Sequence, residues 1–309
     1  MSATTAVAAC VQLVGGVALA PLLPGLVQHL KGRLQGRRGP SPLQPYRELR
    51  RLWRKSVVDP EGTTALFKAA PSVVAASAGL ALLLLPVGGV GPDWSLGHDA
   101  LVLVGLFALA RFALAVSAWD TGSGFGLMAV SRELTLAVFA EGLLLLVIAL
   151  AVLPVESTDL RALTAAASGS AIWSHPFHWC GAVAFALVVL VETGRQPVDN
   201  PDTHLELTMI HEGPLLEYAG RDLALLQWAA AARHWIVLVL AADLFLPHGG
   251  SFAVQLVELA LEVVALCGAL ALVETWQAKL RILWVPRLLG AGGALALIGF
   301  VSFFIGGRL

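Results

Sequence analysis

Eight stretches of this chain stay apolar for roughly twenty residues at a time, the length a helix needs to cross the hydrocarbon of a bilayer. Within a few residues they run over 4–28, 65–86, 99–119, 131–154, 171–192, 226–246, 252–275 and 286–306. In hydrocarbon every backbone N–H and C=O must find its partner inside the chain, and a helix does so segment by segment. Charged residues make up 13% of the chain, about half the share of a soluble domain, so its length is taken up by crossings. The expectation is an all-α integral membrane protein of about eight transmembrane helices. It forms one polytopic domain over 1–309, with two long polar loops at 29–64 and 193–225. The amino-terminal run lacks a basic start and reads as the first span rather than as a cleaved signal. No internal repeat is evident.

Basic residues alternate strongly from loop to loop. Lys31, Arg33, Arg37, Arg38, Arg47, Arg50, Arg51, Arg54 and Lys55 fill the first long loop, and Arg132, Arg195, Arg221, Lys279, Arg281 and Arg287 lie on the same side. The other side offers Arg161 and Arg308. The positive-inside rule makes the first group cytoplasmic and puts both termini outside the cell's inner membrane. The net charge of -1 carries little, since distribution matters more than sum, and no nucleic-acid partner is expected.

Within 42–55, Leu43, Tyr46, Leu49, Leu52 and Trp53 recur at helical spacing between basic residues. That pattern predicts an interfacial amphipathic helix, equally suited to anionic lipid or to a docked protein. The second loop opens with Thr193-Gly-Arg-Gln-Pro-Val-Asp-Asn-Pro201, which cannot continue a helix. Thr203 and Glu206 then suit a capping box for a short helix through His211, ended by Gly213 and Pro214.

An ionised side chain inside the bilayer is expensive and is kept for a reason. The spans hold Arg111, Glu133, Glu141, Glu192, Asp243, Glu258, Glu262 and Glu274. Glu258 and Glu262 share a helical face, and Glu133 and Glu141 are offset by about 80°. Position along the spans puts Glu133, Glu192 and Glu274 near cytoplasmic headgroups and Glu258 nearer the outer end, with Glu141 and Glu262 deeper. Asp243 sits where it can reach outer water, and His29, His98, His175, His178 and His248 read as solvated histidines. Acids at separated depths suit proton or cation transfer. Glu141 has no side-chain donor nearby in sequence, so its ionisation depends on whether Arg111 or internal water lies close.

Self-contained enzyme chemistry is missing. His211-Glu212 starts like a zinc-protease motif, but Leu215 breaks it, and there is no GxSxG, P-loop or dinucleotide fingerprint. His204 and His211 with Glu206 or Glu212 make a weak metal signal. Cys10, Cys180 and Cys267 lie far apart in apolar segments, so no zinc or iron–sulfur site belongs to this chain alone. No catalytic residue and no bound cofactor are expected.

Three stretches carry a resemblance: Gly36-Arg37-Arg38-Gly39-Pro40 with Leu43-Gln44-Pro45-Tyr46; Asp120-Thr-Gly-Ser-Gly-Phe-Gly running to Arg132, Glu133 and Glu141; and Glu192-Thr-Gly-Arg195-Gln-Pro197-Val-Asp199 followed by His204, Glu206, His211-Glu212 and Glu217-Tyr218-Ala-Gly220. Together they resemble the subunit 1 family of respiratory complex I. They are most similar to its relatives in formate hydrogenlyase and other membrane-bound, ion-translocating nickel–iron hydrogenases.

The resemblance implies a membrane subunit that anchors a hydrophilic redox arm and links electron transfer to proton or sodium movement. Its partners would be hydrogenase-type large and small subunits, a ferredoxin-like iron–sulfur subunit and antiporter-like membrane subunits, and the nickel–iron centre and iron–sulfur clusters would lie in them. Arg37, Arg38, Gln44 and Arg195 match positions at the arm interface. Glu133, Glu141, Glu192, Asp199, Asp202, His204, Glu206, Glu212, Glu217, Glu258 and Glu262 are the candidate ion-coupling set, most of them matched by motif. His204 and His211-Glu212 follow the hydrogenase branch, which needs no quinone. Two alternatives stay open: a stand-alone proton- or sodium-coupled secondary transporter, and an anchor whose acids are relics.

Overall fold

The computed structural model describes residues 13–86, 96–167, 169–199 and 210–306, and the regular elements among them are helical. In chain order they are α1 (Leu13–Leu19), α2 (Leu22–Leu34), α3 (Gln44–Trp53), α4 (Ala65–Leu84), α5 (Asp99–Thr121), α6 (Gly124–Val152), α7 (Leu160–Ala167), α8 (Ser170–Trp173), α9 (Pro176–Glu192), α10 (Gly220–Phe245), α11 (Phe252–Trp276) and α12 (Val285–Ile305). Among the described residues, α4, α5, α6, α10, α11 and the run Ile282–Ile305 are each long and apolar enough to cross a bilayer, six in all. The pair α1 and α2, bent by 42°, supplies a seventh. The bend falls at Pro21, which has no N–H for the preceding turn. Helix α9 has 17 residues, short of a comfortable crossing, because Pro176 starts it later than the expected 171.

Two other boundaries move. Helix α6 begins at Gly124 rather than 131, which carries Glu133 well inside it. Residues 200–209, and with them the expected capping box, lie outside the described residues, while Ile210 to Glu212 form a bend rather than a helix end.

Helix α10 is the hub. It packs against α2, α3, α4, α7, α9 and α11, and Ile236 to Leu244 are buried without a break. A helix apolar all round belongs in the middle of a bundle. The outer helices instead present Phe112, Val138, Leu261 and Phe304, all exposed, as a lipid-facing side chain set should be. The amphipathic helix forms where the spacing predicts, with Leu52 buried and Arg47, Arg50 and Arg51 exposed.

Two local devices hold the loops to the spans. The carboxylate of Asp120 accepts hydrogen bonds from the Thr64 N–H (2.7 Å) and the Phe67 N–H (3.3 Å), so the end of α5 caps the start of α4. The Gly36–Pro40 turn lies directly on α2: a Cβ on Gly32 would come within 2.4 Å of the Gly39 backbone. His29 Nδ1–H donates to the Pro40 carbonyl at 2.8 Å and holds the turn there.

Candidate functional site

Arg111 of α5 lies buried between two carboxylates from other helices, paired with Glu141 of α6 through one nitrogen and with Glu192 of α9 through the other. Arg233 of α10 sits over the Phe107 ring at 5.7 Å and within electrostatic reach of Arg111, Glu133, Glu141 and Glu192. Five charged groups from four helices thus meet in the bundle. Arginine suits this place because its planar fork satisfies two carboxylates at once and keeps its charge.

Glu192 ends α9, and the chain turns immediately at Gly194 (φ 61°). A side chain there would be strained and would press on the His211 ring, 3.2 Å from its Cβ. The turn aims three side chains at three different partners within eight residues. Glu192 holds Arg111; Arg195 donates to Glu274 at 3.1 Å, and Lys31 lies 3.4 Å from the same carboxylate. Asp199 accepts from Lys279 at 2.7 Å and from the N–H groups of Ile210 and His211 and the His211 ring at 3.3 Å each. Burial pushes the Asp199 carboxyl up, but the bonds and charges of His211 and Lys279 outweigh it and hold it well below the usual carboxylate range. The Leu280 N–H donates to the Pro197 carbonyl at 2.8 Å, closing the loop after α11 onto the same segment.

Below this segment opens a cavity of about 680 Å³ between α2, α3, α10 and the second loop. Its polar wall includes Gln44, Glu48, Arg195, Asp199, His211, Glu212, Tyr218 and His234. Tyr218 stacks on Phe67 (centroids 4.2 Å apart) and donates to the Phe67 carbonyl at 3.0 Å. Burial pushes its phenol up to about 12, so it stays a donor.

The candidate residues therefore divide. Glu133, Glu141 and Glu192 converge on Arg111 and Arg233; Arg195, Asp199, Glu212 and Gln44 line the cavity. Glu217 is half-buried at the base of α10, and Arg37 and Arg38 are exposed. Glu258 and Glu262 lie apart at the opposite end of α11, where Glu258 accepts from the Gly249 N–H at 3.2 Å. Asp202, His204 and Glu206 lie outside the described residues. Among the described residues no group of three His, Cys, Asp or Glu side chains is arranged to hold a metal ion.

Several expectations need correcting. Glu192 and Glu274 lie at the ends of their helices but do not open to the surroundings; their side chains are fully enclosed by neighbouring helices. Glu133 is likewise buried, on the face of α6 that packs into the bundle. Of the two neighbours left open for Glu141, Arg111 is the one that reaches it, from thirty residues away. Asp243 does not reach water: it is wholly buried, and His178 and His248 are buried as well. Arg233 and His234 are missed by a reading of the sequence alone. Their signal is an arginine and a histidine in the middle of an apolar run, which carries the same weight as that of Arg111.

Comparison with known proteins gives the family and the fold. The family model described as NADH dehydrogenase matches residues 6–305. The chain is 32% identical over 301 residues to formate hydrogenlyase subunit 4 of Escherichia coli, covering 92% of this chain and 94% of that protein. It is 30% identical over 296 residues to hydrogenase-4 component C of the same organism, covering 93% and 92%. A chain in the structure of the membrane-bound sulfane sulfur reductase, an archaeal respiratory membrane complex, shares the fold, with a TM-score of 0.82 at 17% identity over 96% of this chain and 99% of that one.

Proposed function

The chain belongs to the NADH dehydrogenase family, and from that membership we propose that it is the anchoring and coupling subunit of a hydrogenase-type respiratory complex. It is a multi-pass membrane protein homologous to membrane subunits of formate hydrogenlyase and hydrogenase-4. In the proposal its basic loops face the cytoplasm across the inner membrane and both termini face out. Its partners are hydrogenase-type large and small subunits, a ferredoxin-like iron–sulfur subunit and antiporter-like membrane subunits, which hold the redox centres.

One observation carries the coupling role. Residues 192–199 grip the buried Arg111 pair at one end and the cytoplasmic loops at the other, with Arg195 on Glu274 between them. A push on the loop from a docked redox arm moves Glu192 relative to Arg111. In a low-dielectric bundle, a small change in that distance alters the balance of charge that Arg111 holds between Glu192 and Glu141. The alternative of a lone transporter finds no such role for the loop.

The test has two stages. The tagged chain is isolated from native membranes in mild detergent, and copurifying proteins are identified; a chain that emerges alone in active form sinks the proposal. The complex is then placed in vesicles with Glu141→Gln, which keeps shape and fixes the charge at neutral. Assembly is expected to persist while ion movement per turnover falls; unchanged ion movement removes Glu141 from the path.

A further inference from the structure

At the end of the bundle away from the basic loops, α10 and α11 are joined by Pro247-His-Gly-Gly-Ser251. Pro247 and Gly249 are exposed, yet the His248 ring between them folds inward and is completely enclosed. Its Nδ1–H donates to the Leu246 carbonyl at 3.1 Å, because a carbonyl can only accept. That bond leaves Nε2 as the nitrogen that gains or loses a proton. Nε2 faces Glu262 Oε2 at 3.0 Å and Asp243 Oδ1 at 3.7 Å. Asp243 is wholly buried, and among the described residues its two carboxylate oxygens, His248 Nε2 and Glu262 Oε2 are all buried without an aligned hydrogen-bond partner, so these three groups face one another as unsatisfied polar atoms.

We propose that Asp243, His248 and Glu262 form a proton-holding site at this end of the bundle, with Glu262 as its opening. The argument is one of charge and access. Two carboxylates and one imidazolium leave a net negative charge in a sealed apolar place, which is costly. Sharing one further proton among the three groups makes the site neutral. Glu262 is the only one of the three side chains with measurable exposure, 16%, so it faces the outside of the chain while Asp243 lies at the closed end. A proton passes from a Glu262 carboxyl to His248 Nε2, giving carboxylate and imidazolium, and on to Asp243 by the same exchange.

Among the described residues, the other charged groups around α10 and α11 do not neutralise the site. Glu258, one turn from Glu262, is taken up by Gly249. His178 of α9 packs its ring against Phe245. On α2, Lys31 is engaged at Glu274, at the far end of α11; on α4, Lys68 pairs with Asp59; and Glu192 of α9 holds Arg111. Arg161 of α7 is exposed, and the basic residues of α3 belong to the cytoplasmic loop. The proposal extends the coupling reading to a part of the bundle that reading leaves out, and its test does not use turnover.

Infrared difference spectroscopy of the purified full-length chain in lipid discs reads protonated carboxyls by their C=O stretch, which is separate from the carboxylate band. A carboxylic-acid band is expected to survive above the pH at which exposed acids have ionised. Asp243→Asn, nearly the same shape, should abolish it; His248→Gln and Glu262→Gln, the second partly exposed and gentler on folding, should each shift its titration; Glu48→Gln, on α3 at the other end of the bundle, should leave it alone. The proposal fails if wild type has no such band, or if the band is untouched by all three site variants. It fails equally if the band moves when sodium replaces potassium at constant pH, since a metal cation is then the occupant. A Glu141→Gln complex that pumps normally would sink the coupling proposal while leaving this band in place.

Discussion

Arg111 is the residue on which most of the buried charge depends. With it, Glu141 and Glu192 are compensated; without it, two carboxylates are stranded beside Arg233 alone. Removing one partner of a buried pair typically costs about 3–5 kcal/mol. Arg111→Met is therefore expected to lower the midpoint of thermal unfolding in detergent sharply, and to do so far more than Glu141→Gln, which leaves Glu192 as a partner. Equal midpoints for the two variants would contradict this ordering. Asp199 acts at the same scale but through pH. Its depressed pKa means that the folded form binds the proton less readily than the unfolded form. Its contribution is complete above the ordinary aspartate value of about 4 and fades as pH falls toward the folded value. Amide exchange at Ile210 and His211, corrected for intrinsic rates, should stay slow from neutral pH to about pH 4 and quicken below it. In Asp199→Asn the same amides should exchange faster at neutral pH and show no such step.

Among the elements, the turns matter more than the helices they join. Gly220 opens α10 with φ 59°, and a Cβ there would meet the Ser56 carbonyl oxygen at 2.4 Å. The left-handed backbone alone costs a non-glycine residue about 1–2 kcal/mol, and the clash adds to it. Gly220→Ala should therefore loosen the contact between α10 and the end of the first loop, seen as faster protease cleavage at Arg54 and Lys55. Cleavage at the wild-type rate would show that the turn relaxes freely. The Asp120 cap is a milder device, exposed to solvent on the surface of the helix pair. Asp120→Ala should fray the start of α4 without disturbing the Arg111 pair.

For the whole molecule, the arrangement separates a polar, basic side from a lipid-facing belt and a second buried acid cluster at the far end. Single cysteines placed by Arg37→Cys and Pro247→Cys, in a chain freed of Cys10, Cys180 and Cys267, should label from opposite sides of sealed vesicles, Arg37 from the cytoplasmic side. Labelling of both from one side would overturn the proposed topology. Arg37 and Arg38 are exposed on a turn held rigidly to α2 by the Gly32–Gly39 approach, which presents them at a fixed place. Changing both to Gln is expected to release the soluble partners from the membrane; retention of an active complex would make the turn a lipid anchor instead.

The all-helical architecture, the amphipathic helix over α3 and the family are legible in the residues alone. Each depends on local facts: apolar run length, the spacing of Leu43 to Trp53, and the strings around Arg37, Asp120 and Glu192. Residue order leaves open whether Arg111 lies close to Glu141 and does not join Glu192 to it, because nothing local says that positions thirty and eighty-one residues apart share one guanidinium. Counting from the ends of apolar runs also puts Glu192, Glu274, Asp243 and His248 near water. Counting fails there because burial is set by which neighbour covers the end of a helix. Loops such as 193–199 and 247–251 fold back over the bundle they leave. Run length and composition are enough to establish that these charges lie in or beside a membrane. Which of them are paired and which are sealed follows from the packing of α5, α6, α9, α10 and α11, since ion pairing falls off within a few ångströms and is fixed by tertiary contact.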